Sequence, residues 1–476
     1  MSTSIRPQLA EIDDILARNP DHTELRYHRA GLLAGLGRRE EAKQDYLAVI
    51  ARDPTHFGAL NDLGTLLYHT DFRSAARLTY AEAVKHHPDN PLGRINLANA
   101  LLANGEPDEA RVHYEAALGL APNHPDALQG MANLLQDQGQ GELAEQYRRR
   151  SYGARGLTTL PYRGAGPPCP VLLLVSAAGG NVPTRFLLDE TVFAVSVLAV
   201  EAHATTPDLP PHDLVFNAVG DADLSPSAIE AVQAVLARTA APVINRPDAV
   251  RLTGRAAIAE RLAGTPGVVT PRVAAAPRET LRPAARRFGY PLLLRSPGYH
   301  TGRHFLKIDH AGGLGAALAE LPGRELLLIE YLDARDTKGQ ARKFRVMLIG
   351  GQIFPLHLAL SRDWKVHYFT ADMAEQPEHR AQEAAFLRDM PAVLGTRAMA
   401  GLTQIADRLG LDYAGVDFAL SPDGDVLLFE ANATMVVNPP DPDPRWDYRR
   451  EPVQRILAAT RAMLLERADK PHETPV

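Results

Sequence analysis

A spacing of 34 residues constrains this chain more than any other feature. Pro20, Pro54, Pro88 and Pro122 recur at that interval, and Ala42, Ala76, Ala110 and Ala144 keep it. Tyr46, Tyr80 and Tyr114 hold the same register, and Gly37, Gly105 and Gly139 fall on a shared position of the period. Small residues suit places where paired helices approach closely, aromatics fill the space between them, and each proline ends a unit. One such unit cannot bury its own apolar face, so successive units must stack. The expectation is an N-terminal α-solenoid.

In period and positional pattern this region resembles the tetratricopeptide repeat. Units fit at about 23–56, 57–90, 91–124 and 125–151, with residues 1–22 as a partial leading helix. A stack of this kind curves around a concave groove. The resemblance implies a peptide or protein partner there, the alternative being a scaffold or homodimerisation arm. Asn61, Thr65, Asn99 and Asn133 are placed on the inner helices. Asparagine suits an extended peptide because it offers a donor and an acceptor, and it equally serves helix packing.

At 476 residues the chain exceeds one ordinary core. Hydrophobic content of 45% and a net charge of −6 exclude nothing globular, and they give no reason to expect nucleic acid or an anionic membrane surface. The single Cys169 excludes an internal disulfide and a cysteine-built zinc site. MSTSIRPQLAEIDD lacks a signal-peptide pattern, and runs such as 171–175 are too short to span a bilayer. A soluble, cytoplasmic protein is expected.

Residues 152–169 are rich in Gly and Pro and read as a linker. From 170 to about 250, strands alternate with helices, which implies a parallel sheet. The loop AAGGN at 177–181 lacks both the dinucleotide fingerprint and the P-loop ending, so it is a weak phosphate site and a better candidate for an acceptor pocket. Asn217 and Asp221 are similar minor candidates.

Near the C-terminal end, LDYAGVDFALSPDGDVLLFEANAT (411–434) reads as strand, turn and strand. Pairing the strands brings Asp417 beside Glu430 and Asn432. Two carboxylates and an amide oxygen suit Mg²⁺; the bland alternative is an acidic hairpin with a solvated end.

Upstream, a helix carries Arg255, Arg295 ends a strand before a Gly-containing hairpin, and Glu330-Tyr331-Leu332 ends another. Lys343 and Arg345 lie on a strand before Gly350-Gly351, and SRDWKVHYF follows at 361–369. With the 411–434 hairpin, this order resembles an ATP-grasp ligase across roughly 168–467, similar to the glutathione synthetase, D-alanine–D-alanine ligase and ribosomal-protein glutamate ligase branch. The implied architecture is α plus α/β: a tetratricopeptide solenoid (1–151), a linker, a pre-ATP-grasp α/β domain (170–250), a two-lobed α+β ATP-grasp domain (251–467) and a tail (468–476).

The resemblance implies ATP and Mg²⁺, the metal held by Asp417, Glu430 and Asn432. Arg255 and Arg295 stand where the family usually has phosphate-binding lysines, and carbamoyl phosphate synthetase-type members carry arginines there. Gly298, His300, Thr301 and Gly302 match the loop over the phosphates, in a bulkier form. Glu330, Tyr331 and Leu332 correspond to the adenine hinge, and Lys343 joins the nucleotide contacts. Arg345, Lys365 and His367 are implied near the transferred phosphoryl group and acceptor, with Arg362, Trp364 and Tyr368 beside them. His357 reads as a core or wall histidine. The implied reaction activates a carboxylate as an acyl phosphate, releasing ADP, and joins it to an amine or other nucleophile on a peptidyl substrate. The alternatives are a small-metabolite ligase whose repeats serve assembly, and a non-catalytic adaptor.

Overall fold

The computed structural model describes residues 2–70, 72–155, 157–202, 208–297, 304–336, 339–366, 371, 373–441 and 443–469. Contacts divide the chain into two compact units, Met1–Arg155 and Gly156–Val476.

The first unit is helical: α1 (Ser2–Arg18), α2 (Thr23–Gly35), α3 (Arg39–Arg52), α4 (Phe57–His69), α5 (Arg73–His86), α6 (Pro91–Ala103), α7 (Pro107–Leu120), α8 (Pro125–Asp137) and α9 (Gly141–Arg155). Each even-numbered helix packs on the next, and neighbouring pairs stack. The 34-residue register has a direct physical cause. Ala42, Ala76, Ala110 and Ala144 are fully buried between helices, and Tyr46, Tyr80 and Tyr114 are buried beside them. A Cβ on Gly64 would lie 2.6 Å from the Tyr80 ring, and one on Gly130 2.3 Å from Tyr114, so the tyrosines require glycine on the facing helix. Gly37, Gly105 and Gly139 have φ near +75° to +79° in the turns inside helix pairs, a conformation glycine adopts without strain. Residues 152–155, expected in the linker, continue α9.

The second unit holds, among the described residues, three sheets. The first has order β1-β3-β2-β4-β5, from β1 (Thr158–Thr159), β2 (Cys169–Val175), β3 (Phe193–Ala199), β4 (Leu214–Asn217) and β5 (Val243–Ile244). Strands β2 to β5 are parallel and β1 pairs antiparallel with β3. Helices α10 (Pro226–Leu236), α11 (Pro247–Arg251) and α12 (Arg255–Leu262) follow β4 and β5, and β6 (Val268–Val269) comes next.

The second sheet is antiparallel, with order β7-β10-β8-β9, from β7 (Val273–Pro277), β8 (Leu292–Arg295), β9 (Phe305–Ile308) and β10 (Glu325–Glu330). Helices α13 (Leu281–Phe288) and α14 (Leu314–Glu320) cover it, and Leu281, Leu292, Leu294, Leu326 and Leu328 belong to a separate small core. The third sheet has order β12-β11-β13-β14-β6, from β11 (Ala341–Ile349), β12 (Gln352–Ser361), β13 (Tyr413–Leu420) and β14 (Val426–Asn432). It carries α15 (Pro377–Arg388), α16 (Met390–Leu409, kinked at Gly395) and α17 (Arg450–Ala468).

One hydrophobic core runs from Val171 in the first sheet through Phe344, Val416 and Leu464, so the first and third sheets share an interior across residue 250. Asn245 helps to fix that junction. It is fully buried with φ +59°, and its amide pairs with both backbone groups of Tyr413: Nδ2 donates to the carbonyl at 2.8 Å, and Oδ1 accepts the N–H at 2.9 Å. One side chain thus replaces a strand neighbour for β13. Asn217 donates to the Asn245 carbonyl, which gives that buried asparagine a structural task.

Candidate functional site

The candidate site begins with strand register. His357 on β12 lies opposite Arg345 on β11, Arg345 opposite Asp417 on β13, and Asp417 opposite Glu430 on β14. Cross-strand partners share a face, so these four side chains form one polar row across the sheet. The register shifts just after Asp417, leaving Phe429 as the extra residue of a bulge. Bulges re-aim side chains at sheet ends, and this one falls beside Glu430.

Asp417 and Glu430 are neighbours of like charge in this row, and cations hold each of them. Arg345 Nε and Nη2 donate to the two Asp417 oxygens at 2.5 and 2.8 Å, and Lys343 Nζ donates at 3.0 Å. Burial alone would raise the Asp417 pKa; Arg345 and Lys343 outweigh it and hold the carboxyl well below the usual range. Burial likewise opposes the charge on Glu430, and Arg255 overcomes it through a 2.8 Å ion pair. Burial and the nearby Arg345 keep the imidazole of His357 neutral, which agrees with a wall histidine.

Arg255 is the first residue of α12, and its position is set from the first sheet. Asp223, in the loop after β4, accepts the Arg255 backbone N–H at 2.9 Å, while Asp221 Oδ1 accepts the N–H groups of Asp223 and Leu224. Asp223 is open to solvent, yet its crowded surroundings raise its pKa, desolvation being the largest cause. Arg295, at the end of β8, adds another cation. Burial and the neighbouring Arg255 push its pKa down to about 10, against the opposing pull of Glu430, Asp221 and Asp223. Arg255, Arg295, Lys343 and Arg345 therefore surround Asp417 and Glu430, with Asp221 and Asp223 at the edge.

Asn432 stands opposite Gly415 and donates from Nδ2 to Glu430 Oε1 at 2.9 Å. Its Oδ1 accepts from the N–H and hydroxyl of Thr434, both at 2.9 Å. Among the described residues no group of three His, Cys, Asp or Glu side chains is arranged around a common point. The expected trio is together in space, but Asp417 and Glu430 face cations and Asn432 turns its amide nitrogen to Glu430.

The remaining expected residues lie elsewhere in the unit. Glu330 Oε2 accepts from the backbone N–H and Nε of Arg272, both at 3.1 Å, so this carboxylate is engaged by its neighbour. Tyr331 donates to Asp333 at 3.2 Å, and burial pushes its pKa up to about 12. Leu332 follows, half-buried. Lys365 Nζ donates to the carbonyl of Phe305 at 3.4 Å, on β9, and not to the charged row. Gly298, His300, Thr301, Gly302, His367 and Tyr368 lie outside the described residues.

The 177–181 loop also has an internal explanation. Glu201 Oε1 accepts from Ser176 Oγ at 2.6 Å and from the N–H of Ala177 at 2.8 Å, so a carboxylate of the chain itself takes these donors. Sequence reasoning passed over Glu201, Asp223 and the clamp made by Asn245. Only the Asn245-Arg246-Pro247 turn carried a local signal, because asparagine is among the few residues that tolerate positive φ.

Comparison with protein families matches residues 23–56, 79–112 and 101–147 to tetratricopeptide-repeat models. The N-terminal unit is a tetratricopeptide-repeat array. Similar solved structures include MamA from Desulfovibrio magneticus RS-1, at 18% identity over 31% of this chain and 84% of that one, with a TM-score of 0.30. PilF of Pseudomonas aeruginosa is 21% identical over 32% of this chain and 74% of its own, with a TM-score of 0.29. A TPR protein of Thermus thermophilus is 20% identical over 31% and 81%, with a TM-score of 0.28. No curated protein matches the chain. Among the described residues no helix is long and apolar enough to cross a membrane.

Within the array, the amides expected in the groove divide into two kinds. Asn61 is buried and accepts from Asn96 at 2.7 Å, a bond between α4 and α6. Thr65 meets the Tyr80 hydroxyl at 3.0 Å, and Asn99 accepts from the Tyr114 hydroxyl. Asn99 and Asn133 are exposed, Asn133 accepting from Gln129 at 3.1 Å. Asn61 is thus a packing residue, whereas Asn99 and Asn133 remain at the array's surface.

Proposed function

We propose that this protein is an ATP-dependent ligase whose tetratricopeptide array holds a peptide or protein substrate. The observation that supports this most is the convergence of Arg255, Arg295, Lys343 and Arg345 from three different elements around Asp417 and Glu430. A triphosphate supplies several negative charges at once, and arginine forks match its oxygens.

The donor set suits Mg²⁺ by chemistry, as two carboxylates and an amide at one strand end. It would fit when phosphate oxygens take over Arg255, Arg345 and Lys343 and when the Asn432 amide turns its oxygen inward, the amide orientation being assigned by its hydrogen bonds. When bound there, the ion would neutralise phosphate charge. Arg345 and Lys343 would then stabilise the phosphoryl group as the substrate carboxylate oxygen bonds to the γ-phosphorus and ADP departs. The acceptor amine would bond to the acyl carbon, and phosphate would leave.

A second reading, a non-catalytic adaptor, draws on the closed ion pairs at Asp417 and on the repeat array. A thermal-shift titration separates the two. ATP with MgCl₂ should raise the unfolding temperature of the wild type, and Glu430→Ala should abolish ADP release while remaining folded. No shift at millimolar ATP would remove the ligase reading and leave the adaptor.

A further inference from the structure

Three aromatic rings of the second unit belong to none of the hydrophobic cores. Phe305, Tyr331 and Trp364 are absent from the main core, from the small core under the antiparallel sheet and from the repeat core. They meet one another instead. Trp364, in the segment after β12, meets Phe305 edge-on at 5.4 Å between ring centres and 66° between planes, and Tyr331 at 6.5 Å and 79°. Phe305 lies opposite Arg295 in the β8–β9 ladder, and the Arg295 guanidinium sits over its ring at 5.4 Å. Lys307 Nζ lies 4.4 Å above the Tyr331 ring, and Lys365 reaches the Phe305 carbonyl.

Packing does not explain this patch, since Trp364 is only half-buried and its neighbours Asp363 and Lys365 are exposed. Rings beside cations suit a ligand that joins a neutral planar base to charged phosphates, because the rings can pack on the base while the cations take the phosphate charge. Arg295 belongs to both this patch and the charged site, which places the aromatic patch next to the expected phosphates. Resting on the ligase reading above, we propose that Trp364 forms a wall of the subsite for the nucleotide base. This departs from the family resemblance, which puts the 361–369 loop at the acceptor.

The chain has two tryptophans, and Trp446 packs against the main core, so a Trp446→Phe background leaves Trp364 as the reporter. In that background ATP and inorganic tripolyphosphate are titrated, following emission and binding heat in parallel. ATP should change Trp364 emission with the calorimetric midpoint, whereas tripolyphosphate should bind without changing it. Trp364→Ala should weaken ATP about tenfold, the loss of one base–ring stack, and leave tripolyphosphate affinity unchanged; Trp364→Phe should retain most of the ATP affinity. Circular dichroism checks that each variant is folded. ATP binding with unchanged emission, or equal weakening of both ligands in Trp364→Ala, would overturn the subsite while sparing the ligase reading. Absence of binding by either ligand would remove both.

Discussion

Replacing Asn245 with alanine should cost the second unit about 4 kcal/mol of stability, from two terms. The Tyr413 N–H and carbonyl, both buried, lose their amide partners, and an unsatisfied buried polar group costs about 1–3 kcal/mol. Alanine must also hold φ at +59°, which adds about 1 kcal/mol for a left-handed residue. Asn245→Gly incurs the first term alone, so it should be about 1 kcal/mol less damaging. Urea unfolding followed by tryptophan emission is the suitable assay, because Trp364 and Trp446 both lie in the second unit and the repeat array contributes no tryptophan signal. The midpoint should fall with the slope unchanged. A loss below about 1 kcal/mol for Asn245→Ala would mean that β13 finds other partners, and the clamp argument would fail.

Other outcomes follow from the same contacts. Gly130→Ala puts a methyl 2.3 Å from the Tyr114 ring and should destabilise the repeat array by about 1–3 kcal/mol in a thermal melt followed by far-ultraviolet dichroism. Asp417→Asn leaves Arg345 and Lys343 facing a neutral amide and should cost about 3–5 kcal/mol at neutral pH without divalent cations. Because the folded pKa of Asp417 is depressed, its stabilisation is complete above the unfolded value of about 3.9 and is lost as pH falls from there toward the folded value. The stability gap between wild type and Asp417→Asn should therefore narrow below about pH 4, and a gap that stays constant far into the acid range would contradict the assignment.

Legibility in the sequence followed the range of the interactions. Tyr46, Tyr80 and Tyr114 recur at one period, so their packing against neighbouring helices left a visible pattern. Asp417 and Glu430 are joined by a short turn, and local alternation was enough to pair them. The bulge at Phe429 left no such trace. The partner of Glu330 was also hidden, because Arg272 lies 58 positions away on the approach to another strand. The exposed asparagines show a subtler limit: Asn61 and Asn99 look alike in sequence, but one is buried between helices and the other reaches the surface.

The amino-acid sequence by itself determined the repeat array and the 411–434 hairpin, since both close through short loops and repeat or alternate within reach of a local pattern. Tertiary structure alone decided which charges meet. Arg255 and Glu430 are 175 residues apart, Arg345 and Asp417 72, and Asn245 and Tyr413 168. Such pairs form only when distant strands align within a sheet or the sheets dock, because the low-dielectric interior makes an ion pair or amide clamp worth more than it is in water.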